Sequence, residues 1–549
     1  MKLKNCNKSS LIAHQNSIKR TKNFSAKKKT VNIEQFFKAK SEPDLSDKIA
    51  RAGLLLSSFM AEHGTPFSQA DHLTEVMKKM FPDSNIAKVS QVPALMVRFY
   101  DGHKLKVVDV LLDTVEVEDA SASGLYNTVK EVFESRQIPM RNILGFASDN
   151  CFTMLGARNG FQAFLKKDVP SVLVLGCVCH SFALCSSYAS NKLPSWLESF
   201  IKDVCCYFAR SSKRQHQFRL IQEVVDSPRH RMVKLSQTRW LSRGRVISIV
   251  EQWDALKLFF QGEATTDKVD GAGNISKAMM TRGTKHMLLF FNYILGKIDR
   301  MNVEFQAEYF KLGTLFATIS DEYRSILSLF IKDSVIKSQK LAAIDPQNRN
   351  LLKNLSDINL GGRCEGLLVS EPLEEKERRF RIDCLSYMVE LCMQIKRRFT
   401  FEEDSVLSLL QIIEPKAALS SERCIKSIAK LAVHFPHVIK NEDLDELEEQ
   451  WRDLLYAQTS LKNLSYRATT FWYELRSVKD GNGHSKFDLL SKFMCCLFAL
   501  PHSSACVERV FSQVNLIKTK QTNRLQVATA ANCLLAKQSI ATGNRQILS

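Results

Sequence analysis

The sequence predicts an α/β plus α protein, with a small mixed sheet and its helices joined to a large all-helical region. Three observations carry this. Two β-rich runs flank Asp101-Gly102 in "ALMVRFYDGHKLKVVDVLLDTVEV", a hairpin signal. Helix-like and strand-like segments then alternate to about residue 181. From about residue 182 to 480 the apolar spacing is almost entirely helical.

Taken in order, residues 1–33 contain no acid and carry Lys2, Lys4, Lys8, Lys19, Arg20, Lys22, Lys27, Lys28 and Lys29. Such a block is expected to be a disordered tail that targets the nucleus or touches nucleic acid. Cys6 and His14 resemble a zinc-finger fragment, but a tetrahedral site needs four ligands, so no zinc is expected. "LSDKIARAGLLLSSFMAEH" sets Ile49, Leu54, Leu55 and Phe59 at helical spacing, as in a packing helix.

After the hairpin, "SGLYNTVKEVFESR" reads as an amphipathic helix. "NILGFASDN" reads as a buried strand from Ile143 to Ala147. "CFTMLGARNGFQAFLKK" reads as a helix and "SVLVLGCVCH" as a second buried strand. A hairpin followed by helix, strand, helix and strand gives a mixed sheet. In the helical region, Leu444, Leu447, Trp451, Leu454 and Leu455 form one stripe, which is a core signal. Residues 261–280 and 356–375 read as loops. "DGAGNISK" lacks the spacing of a phosphate loop.

Near the C-terminus, "FDLLSKFMCCLFAL" is nearly all apolar and is expected to be buried. Pro501 ends it, and Ser503 or Ser504 can cap the next helix. Val507, Val510, Phe511 and Val514 line one face of that helix, and Glu508 sits on its flank. A last helix, "VATAANCLLAKQSI", carries Leu534 and Leu535.

Composition narrows the function classes. The 45% hydrophobic and 25% charged residues are ordinary for a soluble globular chain. No apolar run approaches the ~18 residues of a membrane span, so no membrane partner is expected. The opening residues lack the apolar stretch of a secretion signal, so the cysteines are expected to be reduced thiols in cytosol or nucleus. The net charge of +19 favours a polyanion partner, nucleic acid first.

Asp149 ends a strand and precedes a helix, where open α/β sheets place their chemistry. A metal ligand and a helix cap are both open readings, and phosphoryl transfer needs two or three carboxylates to hold two ions.

"ILGFASDNCFTMLG", "GCVCHSFALC", "SQTRWLSRGRVISIVEQWDAL" and "SSACVERVFSQVNLIKTKQTNRL" follow one another as in hAT-superfamily transposases and their domesticated descendants. The chain resembles that family from about residue 93 onward. The resemblance implies an RNase H-like fold interrupted by a long helical insertion, and an Asp-Asp-Glu site for Mg²⁺. Asp149 matches the second Asp and Glu508 the Glu. Cys177 and His180 match a Cys-x-x-His pair that shapes the neighbourhood of the site. Trp240 matches a tryptophan that stacks on DNA bases in some members, with Arg239 beside it. The C-terminal block resembles the family's dimerisation region, which assigns self-association to Val507, Val510, Phe511, Leu534 and Leu535.

The match breaks at the first Asp. No strand ending in Asp precedes Pro93; Asp83 lies in a turn-like stretch, and Asp109 and Asp113 fall inside the hairpin. A paired set of zinc-finger ligands is missing from the tail as well. The expected protein is therefore transposase-derived and non-catalytic, built on a truncated RNase H-like sheet. It is expected to be nuclear, to self-associate and to touch DNA through Lys27, Lys28, Lys29, Arg239 and Trp240. The alternative is an active transposase using Asp149 and Glu508 with Mg²⁺ or Mn²⁺. The expected divisions are a basic tail (1–44), a helical segment (45–90), a first core part (91–190), a helical insertion (191–480) and a dimerisation region that completes the core (485–545).

Overall fold

The computed structural model describes residues 94–517, except 115–116, 118, 210, 229–242, 267–269, 308–309, 421–426, 458–460 and 462–463. These residues belong to a unit that starts at Gln91. The expected basic tail, the helical segment 45–90 and the final helix lie outside the described residues.

Strands β1 (Ala94–Asp101) and β2 (Lys106–Thr114) form the predicted antiparallel hairpin. Its turn is built by Asp101, whose carboxylate accepts from the backbone N–H of His103 at 3.0 Å and of Lys104 at 3.2 Å. A short acidic side chain closes a turn in this way. The register then places Arg98 opposite Asp109. Helix α1 (Ala122–Ser135) follows, started by Ser121, whose hydroxyl accepts from the Gly124 N–H. Next come β3 (Gly145–Ser148), the single turn α2 (Phe152–Leu155), α3 (Phe161–Asp168), β4 (Leu173–Gly176) and α4 (Val178–Ser190).

Strands β3 and β4 pair in parallel, from Gly145 opposite Leu173 to Ser148 opposite Gly176. The sequence predicts one mixed sheet. Among the described residues there are two sheets of two strands each, because nothing joins β1 to β3. The β3–β4 pair is sandwiched between two apolar layers, as its alternation shows. Phe146 and Val174 pack on a small cluster of Tyr126, Phe161, Leu165, Val169 and Val172. Leu173 and Leu175 face the opposite way, onto the large core.

That large core belongs to the helical region. Its longer helices are α5 (Ser195–Ala209), α6 (Ser212–Val224), α7 (Arg243–Glu251), α8 (Trp253–Thr266), α9 (Asp270–Met280), α10 (Thr284–Phe305), α11 (Leu312–Leu327), α12 (Glu377–Arg398) and α13 (Leu444–Asp453). Helix α10 buries much of its length, including Leu288, Phe290, Phe291 and Ile294, and lies against α4, α7 and α12. The stretch 261–280, read as a loop, is instead the end of α8 followed by α9. Ala272, Ile275 and Met279 recur at helical spacing and are buried, and this burial outweighs the two glycines beside them. Residues 356–375 likewise contain a helix over Gly362–Ser370, with Cys364 and Leu368 buried on one face.

The apolar C-terminal run forms α14 (Asp488–Leu497), followed by α15 (Ala505–Ile517). Phe487, Leu490, Phe493, Met494, Leu497 and Phe498 are all fully buried, against α13 and a helix over Ala468–Glu474. The chain then turns at Pro501 and passes the sheet. A Cβ on Gly145 would come within 2.8 Å of Leu500 and 2.9 Å of Pro501, so glycine is what lets the returning segment approach β3. Helix α15 lies on β1.

Phe493→Ala should destabilise the fold by ~3–5 kcal/mol, since it empties a fully buried site. Val433→Ala, at an exposed position, should stay within ~0.5 kcal/mol. Denaturant unfolding monitored by circular dichroism measures both.

Candidate functional site

The site forms where β3, β4 and α15 meet. Asp149 follows β3 directly and is exposed. Its carboxylate accepts from the Ser148 hydroxyl at 3.3 Å and the Cys151 N–H at 3.4 Å. These are long contacts, so the backbone ahead of α2 holds Asp149 only loosely.

Cys177 follows β4 and starts α4, and its N–H extends the parallel ladder to Ser148 O at 2.9 Å. Its thiol is 1% exposed and accepts from the Ser504 N–H at 3.4 Å. Ser504 O in turn accepts from the Glu508 N–H at 3.2 Å, in the first turn of α15. The starts of α4 and α15 are thereby tied through one sulfur. Hydrogen bonds from Cys179, His180 and Ser504 hold the Cys177 thiol well below its ordinary range, against the burial that would raise it. At 1% exposure, the sulfur serves as an anchor between the two helix starts.

His180 lies one turn into α4, with Nδ1 3.6 Å from Glu508 Oε1. That is too long for a hydrogen bond, and Nδ1 has no hydrogen-bond partner. The link is one of charge. Contact with Cys177, then Glu508 and Asp149, pulls His180 above its usual value. Favouring the folded imidazolium adds stability that is complete below about pH 6.5 and is lost as pH rises through the raised value. Asp149, Cys177, His180 and Glu508 thus share one neighbourhood. Asn150 sits beneath it, donating to the Ser181 hydroxyl at 3.0 Å. Gly176 leaves room for it, since a Cβ there would lie 2.2 Å from Asn150 Oδ1.

Sequence reasoning missed a second cluster beside the first. Arg98 makes a two-pronged ion pair with Asp109, Nε to Oδ1 at 2.7 Å and Nη2 to Oδ2 at 2.8 Å. Both side chains are largely buried. Arg98 Nη1 lies 3.1 Å from His502 Nδ1, which must accept because a guanidinium only donates. Burial, with Arg98 beside it, holds His502 down to about 4, so the ring is neutral. The hairpin register, readable from the Asp101 turn, was the available signal for Arg98–Asp109; nothing in the spacing pointed to His502.

These residues do not fit a two-ion metal site. Asp149 and Glu508 both face a histidine drawn toward its cation. Of the other two acids on the same cleft, Asp109 is neutralised by Arg98 and Asp299 lies on α10. Among the described residues no three His, Cys, Asp or Glu side chains are arranged to hold a metal ion.

Of the other predicted residues, Val507 and Val510 are half-buried on α15. Phe511 lies in α15, its side chain outside what the structure describes. Lys27, Lys28, Lys29, Arg239, Trp240, Leu534 and Leu535 lie outside the described residues.

Residues 475–540 match the hAT family C-terminal dimerisation region. The chain is hAT transposase-like. The matched region begins in the fully buried Leu475, takes in α14 and α15, and continues past the described residues. The match supports self-association, and Glu508 falls inside the matched region. Among the described residues, no helix of this hAT-like chain is long and apolar enough to cross a membrane.

Neutral His502 sets a pH dependence. The unfolded chain takes up this proton near pH 6.5 and the folded chain only near pH 4, so stability is full above 6.5 and falls between them. His502→Asn keeps an acceptor for Arg98 without a titrating group. Its urea midpoint should fall less between pH 7 and pH 4 than that of the unaltered chain.

Proposed function

We propose that this chain is a transposase-derived protein that does not cut DNA, self-associates through its C-terminal region and binds nucleic acid in the nucleus. The observation that carries the reading is how the acids at the cleft are engaged. Asp149 and Glu508 flank His180, Asp109 is spent on Arg98, and Asp299 does not complete a three-ligand group with them among the described residues. Strand transfer by two ions needs carboxylates free to bridge them.

The two small sheets, with helices on both faces and a helical region between β4 and α15, support reading them as the remnant of an RNase H-like core. Dimerisation is supported by the match over 475–540. In the described part of that region α14 spends its apolar face inside the chain, so the contact with a second copy falls to Val507, Val510 and Phe511 on α15 and to residues beyond it, including Leu534 and Leu535. Nucleic-acid binding is supported by the net charge of +19 and by the basic run at Lys27–Lys29. Trp240 and Arg239 complete the proposed contact set, since stacking on a base contributes ~1–3 kcal/mol.

Mn²⁺ titration of the purified chain, followed by electron paramagnetic resonance, tests the non-catalytic reading. The expected result is no tight binding, unchanged in Asp149→Ala and Glu508→Ala. Tight binding abolished by either substitution would overturn it. Light scattering tests self-association. The unaltered chain should be dimeric or larger, and Leu534→Asp with Leu535→Asp should give folded monomers. Folded dimers of that double variant would remove these leucines from the interface.

A further inference from the structure

Phe152 is 93% exposed, more than any other large apolar side chain among the described residues. Burial of a Phe ring is one of the larger stabilising gains open to a fold, and this ring makes none of it. The turn that carries the ring is not loose. In α2 the Leu155 N–H donates to Cys151 O at 2.9 Å, the Gly156 N–H donates to Phe152 O at 2.8 Å, and the Gln162 side chain donates to Leu155 O. Met154, on the same turn, packs on the cluster of Tyr126 and Phe161. The turn is held from beneath while Phe152 stands outside it. Nor does the ring serve the cleft beside it: Asp149, Cys151, Thr153 and Met154 line that cleft and Phe152 does not.

The surroundings are cationic and polar. No acid occurs from Asn150 to Lys167, a run that holds Arg158, Lys166 and Lys167. Arg158 and Asn159 are exposed on the loop that follows α2. That loop closes where the Gly160 N–H donates to Gly156 O at 3.0 Å. A Cβ on Gly160 would lie 2.4 Å from Gly156 N, so the closure requires glycine. Because Gly156 is itself bonded to Phe152, the ring and the Arg158 loop belong to consecutive bonded turns. Among the described residues Arg158 has no ion-pair partner.

We propose that Phe152 stacks on an unpaired base of a single-stranded nucleic acid while Arg158 holds a neighbouring phosphate. This contact presupposes the nucleic-acid binding proposed above and fixes the form of the ligand. From Phe99 to Tyr188, Phe152 is the one large apolar side chain exposed between those two among the described residues. A protein partner is held by clustered anchors over a broad patch, which a lone ring does not make. One ring is what one base requires, since every base offers a π-face. A duplex hides those faces inside its own stack, so the base that meets Phe152 is unpaired. The acid-free run supplies the positive charge that a phosphate needs, and Asp149, the acid next to that run, lies on the cleft with His180.

The probes are a fluorescein-labelled oligothymidylate of about 12 nucleotides, within the span of one single-strand groove, and a duplex of the same length. Each is titrated with the full chain and followed by fluorescence anisotropy. Phe152→Ala should weaken single-strand binding about fivefold or more. It should leave duplex binding and the thermal midpoint unchanged, because the exposed ring holds nothing in place. Phe152→Tyr should keep the affinity. Arg158→Gln should weaken single-strand binding and flatten the slope of log affinity against log salt by about 0.7, the share of one phosphate. In Phe152→Trp the added indole emission should be open to acrylamide in the free chain and should change when the oligothymidylate binds. Unchanged single-strand affinity in Phe152→Ala would overturn the proposal, as would an equal loss on the duplex. An indole shielded in the free chain would assign the ring to a contact with the protein's own residues and overturn it too. An indole open in the free chain but indifferent to the oligothymidylate would point to a protein partner instead and rule out the base. Binding of neither nucleic acid by the unaltered chain would remove the nucleic-acid reading together with this contact. Binding of both without dependence on Phe152 would remove this contact alone.

Discussion

A guanidinium taken out of water must have its donors occupied, and much of this structure follows from how Arg98 meets that demand. Asp109 takes two donors from the neighbouring strand, which fixes the hairpin register. His502 takes a third, which requires a neutral ring and a backbone that returns to the sheet from the far end of the chain. The return is possible because α14 is anchored in the helical core and Gly145 leaves space for Leu500 and Pro501. Two residues beyond His502, the Ser504 N–H reaches Cys177. The position of Glu508 thus follows in large part from contacts made earlier in the returning segment.

The same contacts shape what the acids at the cleft can do. A carboxylate is useful to a metal when its oxygens are free and its neighbours do not offset its charge. Here Asp109 is saturated by Arg98, and His180, biased toward its cation, stands close to Glu508. Electrostatics that suit ion-pair anchoring of two helix starts are poorly suited to holding a pair of divalent ions.

Much of the local structure was legible in the sequence because it rests on short-range rules. The Asp101-Gly102 turn, the strand before Asp149 and the buried run from Phe487 to Leu497 follow from turn chemistry and apolar spacing. The stripe through Leu447, Trp451 and Leu454 became core, as such stripes do. The failures are tertiary. Residues 261–280 read as a loop, with Gly271 and Gly273 in it, yet burial of Ala272, Ile275 and Met279 sustains a helix over Asp270–Met280. The split into two sheets leaves no mark on either pair of strands, since each reads correctly alone. At the site, family resemblance singled out Asp149, Cys177, His180 and Glu508. In the cluster that frames them, the Arg98–Asp109 pair follows from the hairpin register, but His502 joins it from 404 residues away, and no pattern along the chain encodes that.

That separation bears on how the protein is made. Arg98 and His502 are 404 residues apart, and a ribosome adds about 5–20 residues each second. Roughly 20–80 s therefore pass between the synthesis of the hairpin and that of its histidine partner. Through that interval the nascent chain carries a two-stranded ribbon with an open edge, too small to persist alone in water. The sheet region is made first and finished last. A newborn chain of this kind depends on the helical region assembling quickly, or on chaperones shielding the ribbon until the C-terminal segment emerges.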